Sequence, residues 1–237
     1  MARSFDNLYI GGSWVPAGSA FDDLNPADGS VWARVADGNG SMATRAIESA
    51  QAAFPQWSGL NYNERAHYML KVADEFERRR EDLVVALQGE GGGWFGKGMF
   101  ESGYVPEVFR AAAAMTYNSI GEVMPSDHGK VSMAMRRPIG VVTVISPWNF
   151  PTLLTARGLA FPIAAGNCVV LKPSEETPYT GGMIFAEIFE AAGVPPGVLN
   201  VVTCSRENVP AVGDIIVEHP LIKGISFTGS TPVGRVI

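Results

Sequence analysis

From residue 140 onward the chain repeats one pattern of apolar runs and polar breaks. The run Val141–Ile145 is followed by a helical stretch after Pro151, the run 168–171 by a helix over 178–192, and the run 198–202 by a helix over 209–217. A fourth run, Ile222–Phe227, leads to Pro232, which suits the first turn of one more helix. Short unbroken apolar runs bounded by turn residues are strands buried on both faces. Strands alternating with helices of this length are joined by right-handed crossovers, so the pattern predicts an α/β fold with a doubly wound parallel sheet, Rossmann-like in form.

Upstream the pattern differs. The first 40 residues carry short apolar pieces at 8–10 and 31–35 among Gly, Pro, Asp and Trp, which predict small strands and turns packed on a larger body. Ala43, Ala46, Ile47, Ala50, Ala53 and Phe54 recur at helical spacing, with Ser41 placed to cap them. A second helix opens at Asn61, where Glu64 completes a capping box, and carries Met69, Val72, Ala73 and Phe76 on one face. Residues 78–82 form a mixed charge run that reads as a solvated helix surface. Beyond the alanine-rich helix around 111–114, Val131, Met133 and Met135 alternate with Ser132, Ala134 and Arg136, the period of a half-buried strand. Residues 118–139 are therefore expected to form a hairpin.

Composition excludes several classes of protein. With 237 residues, 46% hydrophobic and 18% charged, the chain has enough apolar surface for a core, and intrinsic disorder is excluded. The 18 basic against 24 acidic residues leave a charge of -6, which repels phosphate backbones and argues against a nucleic-acid partner. Cys168 and Cys204 are too few for a disulfide framework and suit a reducing compartment. The first residues lack a secretory apolar stretch and no run reaches membrane-spanning length, so a cytoplasmic protein without a membrane partner is expected. His67, His128 and His219 lack ligand spacing, and no metal is expected.

Residues 89–98 read GEGGGWFGKG and satisfy two phosphate-loop patterns at once. Both patterns need a buried strand before the loop, whereas the preceding residues 83–88 are helical in pattern. The triphosphatase loop also needs Ser or Thr after its lysine to hold magnesium, and Gly98 stands there. A flexible connection is the expectation for this stretch.

In a doubly wound sheet, ligands bind beyond the carboxyl ends of the strands near the point where strand order reverses. Three polar loops follow the first, second and fourth strands: residues 146–151 (SPWNFP), 172–178 (KPSEETP) and 228–234 (TGSTPVG). Gly229 and Gly234 frame a turn into a helix, whose free N–H groups suit a pyrophosphate, and the Ser230 hydroxyl adds a donor. Glu175 suits a ribose hydroxyl, with Lys172 on the same sugar. Asn149 offers a neutral amide donor in an apolar setting, the kind of group that stabilises an oxyanion. Each has an ordinary alternative: a turn residue at Asn149, a snorkelling lysine at Lys172, a helix cap at Ser230.

Four stretches carry a family resemblance: 147–151 (PWNFP), 165–175 (AGNCVVLKPSE), 196–202 (PGVLNVV) and 227–235 (FTGSTPVGR). In this order and spacing they resemble the NAD(P)-dependent aldehyde dehydrogenase superfamily, and the likeness spans essentially the whole chain. Residues 96–101 and 205–214 bring it nearest to the benzaldehyde, vanillin and salicylaldehyde dehydrogenases. The resemblance implies that Asn149 holds the oxyanion formed when a cysteine thiolate attacks an aldehyde. It implies a cofactor surface of Ser146, Pro147, Trp148, Lys172, Ser174, Glu175, Gly229, Ser230 and Val233. NAD is the expected cofactor because a carboxylate at Glu175 repels a 2′-phosphate, while Lys172 softens that repulsion and leaves NADP possible. In the family, hydride passes to the nicotinamide and a glutamate-activated water releases the carboxylic acid.

One departure is large. The family's Glu-Leu-Gly-Gly and Gly-Gln-x-Cys stretches, which carry its base and nucleophile, do not occur in this sequence. Residues 1–237 are accordingly expected to be an incomplete cofactor-binding domain of a longer enzyme, with the catalytic domain absent from it. The alternative is a non-catalytic chain that binds dinucleotide or assembles with a complete relative. Cys168 reads as a core residue, and Cys204 as loop packing or a cofactor neighbour. On the substrate side, Trp94, Trp148, Phe150 and Leu154 are candidates to line an apolar tunnel, and Arg157 to meet a polar ring substituent. Core packing and a surface ion pair are the alternatives. The expected small-molecule partner is an aldehyde, preferably aromatic, and hairpin 118–139 resembles the family strand that builds homodimers and homotetramers.

Overall fold

The computed structural model describes residues 3–237. Five short strands open the chain: β1 (Arg3–Phe5), β2 (Asn7–Ile10), β3 (Ser13–Pro16), β4 (Ala20–Leu24) and β5 (Val31–Ala36). Helices α1 (Gly40–Gly59), α2 (Tyr62–Arg78), α3 (Arg80–Gly89) and α4 (Phe95–Met115) follow, then the hairpin of β6 (Gly121–Met124) and β7 (Ser132–Met135). The repeating half runs β8 (Val141–Ile145), α5 (Pro151–Ala164), β9 (Cys168–Lys172), a π-helical turn Tyr179–Met183 continuing into α6 (Ile184–Ala191), β10 (Leu199–Val201), α7 (Val209–Glu218), β11 (Ile222–Phe227) and α8 (Thr231–Gly234).

The main sheet has the order β11-β8-β9-β10-β2-β3. Its first four strands are parallel, as the apolar runs predict, and β2 adds to β10 antiparallel with β3 as its hairpin partner. Of the N-terminal strands, β2 and β3 thus extend the main sheet, while β1, β5 and β4 form a separate three-stranded sheet. Asn200, fully buried in β10, receives the Gly11 N–H at 2.8 Å and donates to the Gly197 carbonyl at 2.9 Å, so one amide ties the two halves together.

Helices α5 and α6 cover one face, backed by α2 and α4, while α1 and α7 cover the other. Gly158 lets α5 lie close on β8, since a Cβ there would fall 2.9 Å from Val144 Cγ1. Between α2, α4 and α6 an aromatic cluster fills the second layer: Phe76 lies 5.5 Å from Phe109 and 5.2 Å from Phe185, and Phe109 lies 5.9 Å from Phe189. Trp57 anchors α1 to α5 through its indole N–H on the Ile163 carbonyl at 2.9 Å.

Several local expectations are corrected. Helix α1 is capped by Asn39, whose side chain accepts the Met42 N–H, not by Ser41, because the helix starts at Gly40, two residues earlier than a Ser41 cap requires. The Asn61 capping box forms as expected. Residues 89–98 are not a flexible connection throughout: α4 begins at Phe95, and Lys97 and Gly98 lie inside it, where an i,i+4 ion pair to Glu101 supports the turn. The charge run at 78–82 is not simply solvated, since Arg79 turns inward to Glu187 at 2.6 Å and the Tyr179 hydroxyl at 3.1 Å. The β7 strand is exposed on both faces instead of half-buried, because among the described residues it pairs with β6 alone.

Phe109 is fully buried against Phe76 and Phe189, so Phe109→Ala is expected to cost about 3–5 kcal/mol of unfolding free energy. Chemical denaturation followed by circular dichroism measures this, and a loss below about 1 kcal/mol would mean the cluster collapses around the cavity.

Candidate functional site

Strand register makes the site. Ile145 at the end of β8 lies level with Lys172 of β9 and with Phe227 of β11. The Ser146 N–H donates to the Lys172 carbonyl at 3.3 Å, and the Thr228 N–H to the Ile145 carbonyl at 3.0 Å. Three loops therefore leave the sheet from one edge. The chain steps from β8 to β9 to β10 and then returns to the far side of β8 as β11, so strand order reverses between β8 and β11. Crevices at such reversals are where doubly wound proteins bind ligands.

In the first loop Ser146 is buried, and its hydroxyl bonds to Thr155 Oγ1 at 2.6 Å; Thr155 also bonds the Gly181 carbonyl at 2.9 Å. Trp148 and Asn149 are exposed on the turn, Pro147 and Phe150 half-buried beside them. Phe150 supplies no side-chain cap to α5. Glu101 of α4, wholly buried, does so instead by accepting the Leu153 N–H at 3.1 Å. Its other oxygen receives Lys97 Nζ at 2.6 Å, and that ammonium sits 4.8 Å from the centre of the Phe150 ring. The turn carrying Asn149 is held by a charge pair on a neighbouring helix. Sequence reading missed this pair, although the Lys97–Glu101 spacing of four residues signals it once α4 is seen to begin at Phe95.

The second loop gathers charge. Lys172 is buried with Nζ 3.4 Å from Glu175 Oε2, while Arg206 places Nε 3.4 Å from Glu175 Oε1 and Nη2 2.5 Å from Glu176. Burial works against ionisation of Glu175, but a backbone N–H, Lys172 and Arg206 outweigh it and hold the carboxyl below the usual range. The Ser174 hydroxyl accepts the Glu176 N–H at 3.2 Å. A cavity of about 490 Å³ opens here, lined among others by Trp148, Ser174, Glu175 and Arg206. In the third loop Gly229, Ser230 and Val233 are all exposed. A Cβ on Gly229 would fall 2.5 Å from the Phe227 ring, so the turn folds tightly back over its own strand.

Of the residues expected on the substrate side, Phe150 and Leu154 are half-buried. Trp94 is exposed at the N-terminus of α4. Arg157 is exposed on α5 and makes no ion pair among the described residues. Phe100 and Tyr104, stacked 5.7 Å apart on the exposed face of α4, join the Phe150 edge at 6.4 Å from Phe100, and sequence reading did not single them out.

Neither thiol is reactive. Burial raises Cys168 to about 12 and Cys204 to about 11, so both stay protonated at neutral pH. Glu90, after α3, lines the same cavity, and it and Asp23 of β4 are both buried and face one another. Glu90 accepts the N–H groups of Tyr179 at 2.6 Å and Thr180 at 2.8 Å and the Thr180 hydroxyl, whereas Asp23 Oδ2 finds no partner as an acceptor. Burial first, then the charges of Glu90 and Glu176, push the Asp23 carboxyl far up, so it is a protonated donor to Glu90. Among the described residues no group of three or more His, Cys, Asp or Glu is placed to hold a metal ion. No helix among them is long and apolar enough to cross a membrane.

A parallel sheet with helices on both faces, an order reversal, and polar loops at the strand ends define a Rossmann-like α/β domain. Residues 14–237 match the aldehyde dehydrogenase family, and the chain belongs to it. It is 39% identical over 235 residues to a vanillin dehydrogenase of Pseudomonas sp., covering 97% of this chain and 48% of that protein. Among solved structures, an NAD-dependent benzaldehyde dehydrogenase from Corynebacterium glutamicum superposes with a TM-score of 0.92 at 38% identity, over 98% of this chain and 49% of the other. A salicylaldehyde dehydrogenase from Pseudomonas putida complexed with salicylaldehyde superposes at 0.95 with 31% identity, over 100% and 49%. The chain spans about half the length of the curated relatives it matches.

The Asp23–Glu90 pair sets a pH dependence. Both carboxyls have raised affinities for protons in the fold, so the folded chain keeps protons that the unfolded chain releases above the ordinary carboxylate range. Their contribution is complete at low pH and is lost as pH rises toward about 9. The melting temperature is expected to fall across that window, and Asp23→Asn, which keeps a donor to Glu90 without the titration, to flatten the fall. Calorimetry of both proteins from pH 5 to 9 checks this, and identical slopes would rule the pair out as its source. Glu101→Ala removes the α5 cap and strands Lys97, at an expected cost of about 3–5 kcal/mol in denaturant unfolding.

Proposed function

We propose that residues 1–237 supply the cofactor half of an NAD-linked aldehyde dehydrogenase that oxidises an aldehyde, preferably aromatic, to a carboxylic acid. The observation that carries this is the level register of Ile145, Lys172 and Phe227, which gathers the Asn149, Glu175 and Ser230 loops at the order reversal. The donor set fits a dinucleotide. Glu175 is an ionised acceptor for a ribose diol, Lys172 stands beside it, Ser174 and Trp148 form the wall of the cavity, and the Gly229–Ser230 turn lies across the crevice. NAD, when bound, supplies the hydride acceptor.

The chain's own residues then have separable tasks. Lys172 and Glu175 fix the adenosine half, with Ser146, Pro147 and Val233 shaping the walls. Asn149 donates its side-chain amide to the oxygen of the attacked carbonyl, from an exposed turn between Trp148 and Phe150. Phe150, Leu154, Phe100 and Tyr104 offer the apolar surface that suits an aromatic ring, Trp94 stands at its edge, and Arg157 meets a polar substituent. The attacking thiolate is not Cys168 or Cys204, both of which are buried and protonated. The relatives' names, vanillin and benzaldehyde dehydrogenases, support the aromatic preference.

Lys172→Ala and Glu175→Gln are each expected to weaken NAD⁺ binding about tenfold in calorimetric titration, and a wild-type chain that binds no NAD⁺ would overturn the reading. In the aldehyde-oxidising protein, Asn149→Ala is expected to lower kcat about 100-fold or more with benzaldehyde. Efficiency with short aliphatic aldehydes far above that with benzaldehyde would refute the aromatic preference.

The hairpin of β6 and β7 exposes Val123 (75%), Val131 (77%) and Met133 (61%), a sheet too apolar to remain solvated. We propose that it pairs with a second copy in a dimer or tetramer. Met133→Asp is expected to shift the mass seen in light scattering toward the monomer.

A further inference from the structure

We propose that Arg206 is the residue that decides whether this chain accepts a 2′-phosphate on the adenosine ribose; the inference rests on the dinucleotide reading above and extends it to NADP. A lone carboxylate at Glu175 would repel a phosphate. Here Glu175 is not alone: Lys172 Nζ stands 3.4 Å from its Oε2 and Arg206 Nε 3.4 Å from its Oε1. Glu90, Glu175 and Glu176 line this edge of the cavity together with Arg206, Lys172 stands against Glu175, and the buried Asp23 adds no charge because it is protonated. The lining is acidic on balance, and Arg206 is the cation among those lining residues that is placed to offset it for an incoming anion.

Arg206 is also free to move. Its side chain is 76% exposed, it lines the cavity together with Ser174 and Glu175, and it is fixed only through the exposed Glu176 and the edge of Glu175. Exchanging a solvent-exposed carboxylate for a phosphate costs little, because surface ion pairs contribute little to stability. A guanidinium presents a planar fork that matches a phosphate with two parallel bonds, which an ammonium does not. When the sugar carries a 2′-hydroxyl, Glu175 accepts it and Arg206 stays on Glu176. When the sugar carries a 2′-phosphate, Arg206 swings from Glu176 to the phosphate and, with Lys172, offsets Glu175.

The test is calorimetric titration of the 237-residue chain with NAD⁺ and with NADP⁺, in wild type, Arg206→Ala, Arg206→Lys and Glu176→Gln. The expected result is that wild type binds both cofactors within about tenfold of each other. Arg206→Ala is expected to weaken NADP⁺ about tenfold or more while NAD⁺ changes less than about twofold, and Arg206→Lys to recover part of the loss. Glu176→Gln, which frees the guanidinium, is expected to strengthen NADP⁺ alone. Equal effects of Arg206→Ala on both cofactors, or none on either, overturn the assignment, as does a wild type that binds NAD⁺ and not NADP⁺. Failure to bind either cofactor overturns the dinucleotide reading itself, which separates the two. Thermal melting of the unliganded variants guards against misfolding, and if Arg206→Ala does not fold, Glu176→Gln decides.

Discussion

The site depends on one constraint, the register of β8 against its two neighbours. Parallel strands cannot be joined by tight turns, so each return passes through a helix and every strand ends at the same edge of the sheet. With Ile145 level with both Lys172 and Phe227, three loops with no sequence contiguity are forced into one crevice. A slip of one residue on β9 would turn Lys172 to the opposite face and dissolve the pairing with Glu175. The apolar character of β8 and β9, buried on both faces, is what fixes that register.

A sheet edge built of loops is a poor scaffold unless something stiffens it. Buried polar groups do this here, two at the starts of helical segments and one at the entry to a strand. Glu101 caps α5 from α4. Glu90 takes the first N–H groups of the π-helical turn at Tyr179 and Thr180. Asn167 holds the entry to β8 by accepting from the Ile139 and Gly140 N–H groups at 2.7 and 3.2 Å. These helices begin without caps of their own, so the orphan donors are satisfied from other parts of the chain. Local and tertiary structure are thereby coupled: the loops that hold Asn149 and Glu175 are rigid only when α3 and α4 are docked.

The parallel half of the fold was legible because buried strands and crossover helices leave an alternating signature that no neighbour alters. The family resemblance was legible for the same reason, since it lies in the loops at the ends of those strands. What sequence reading missed shares one physical origin. Lys97 sits in the stretch 89–98, whose glycines predict a loop, and its partner Glu101, buried one turn further on and bonded to the start of α5, lies outside that stretch. Arg79 belongs to a run of charges that looks solvated, and its inward turn needs Glu187 from a helix 108 residues away. Asp23 and Glu90 are separated by four secondary-structure elements, and a carboxyl pair formed by tertiary packing has no local pattern. Local propensity finds elements, but polar partners across long sequence separation come only from the assembled fold.

Two kinds of carboxylate now stand within one region, and the difference between them sets its electrostatics. Glu175 has a cation near each oxygen and stays ionised, whereas Asp23 has a carboxylate before it and keeps its proton. Had all of these acids been ionised, the crevice would repel any phosphate, and no arrangement of loop donors would recover the loss. Protonating the buried member and compensating the exposed one leaves a crevice in which a ribose acceptor coexists with an anion. The acidic composition of the chain as a whole is therefore a poor guide to this edge of the sheet, where charge is decided by burial and pairing instead of by count.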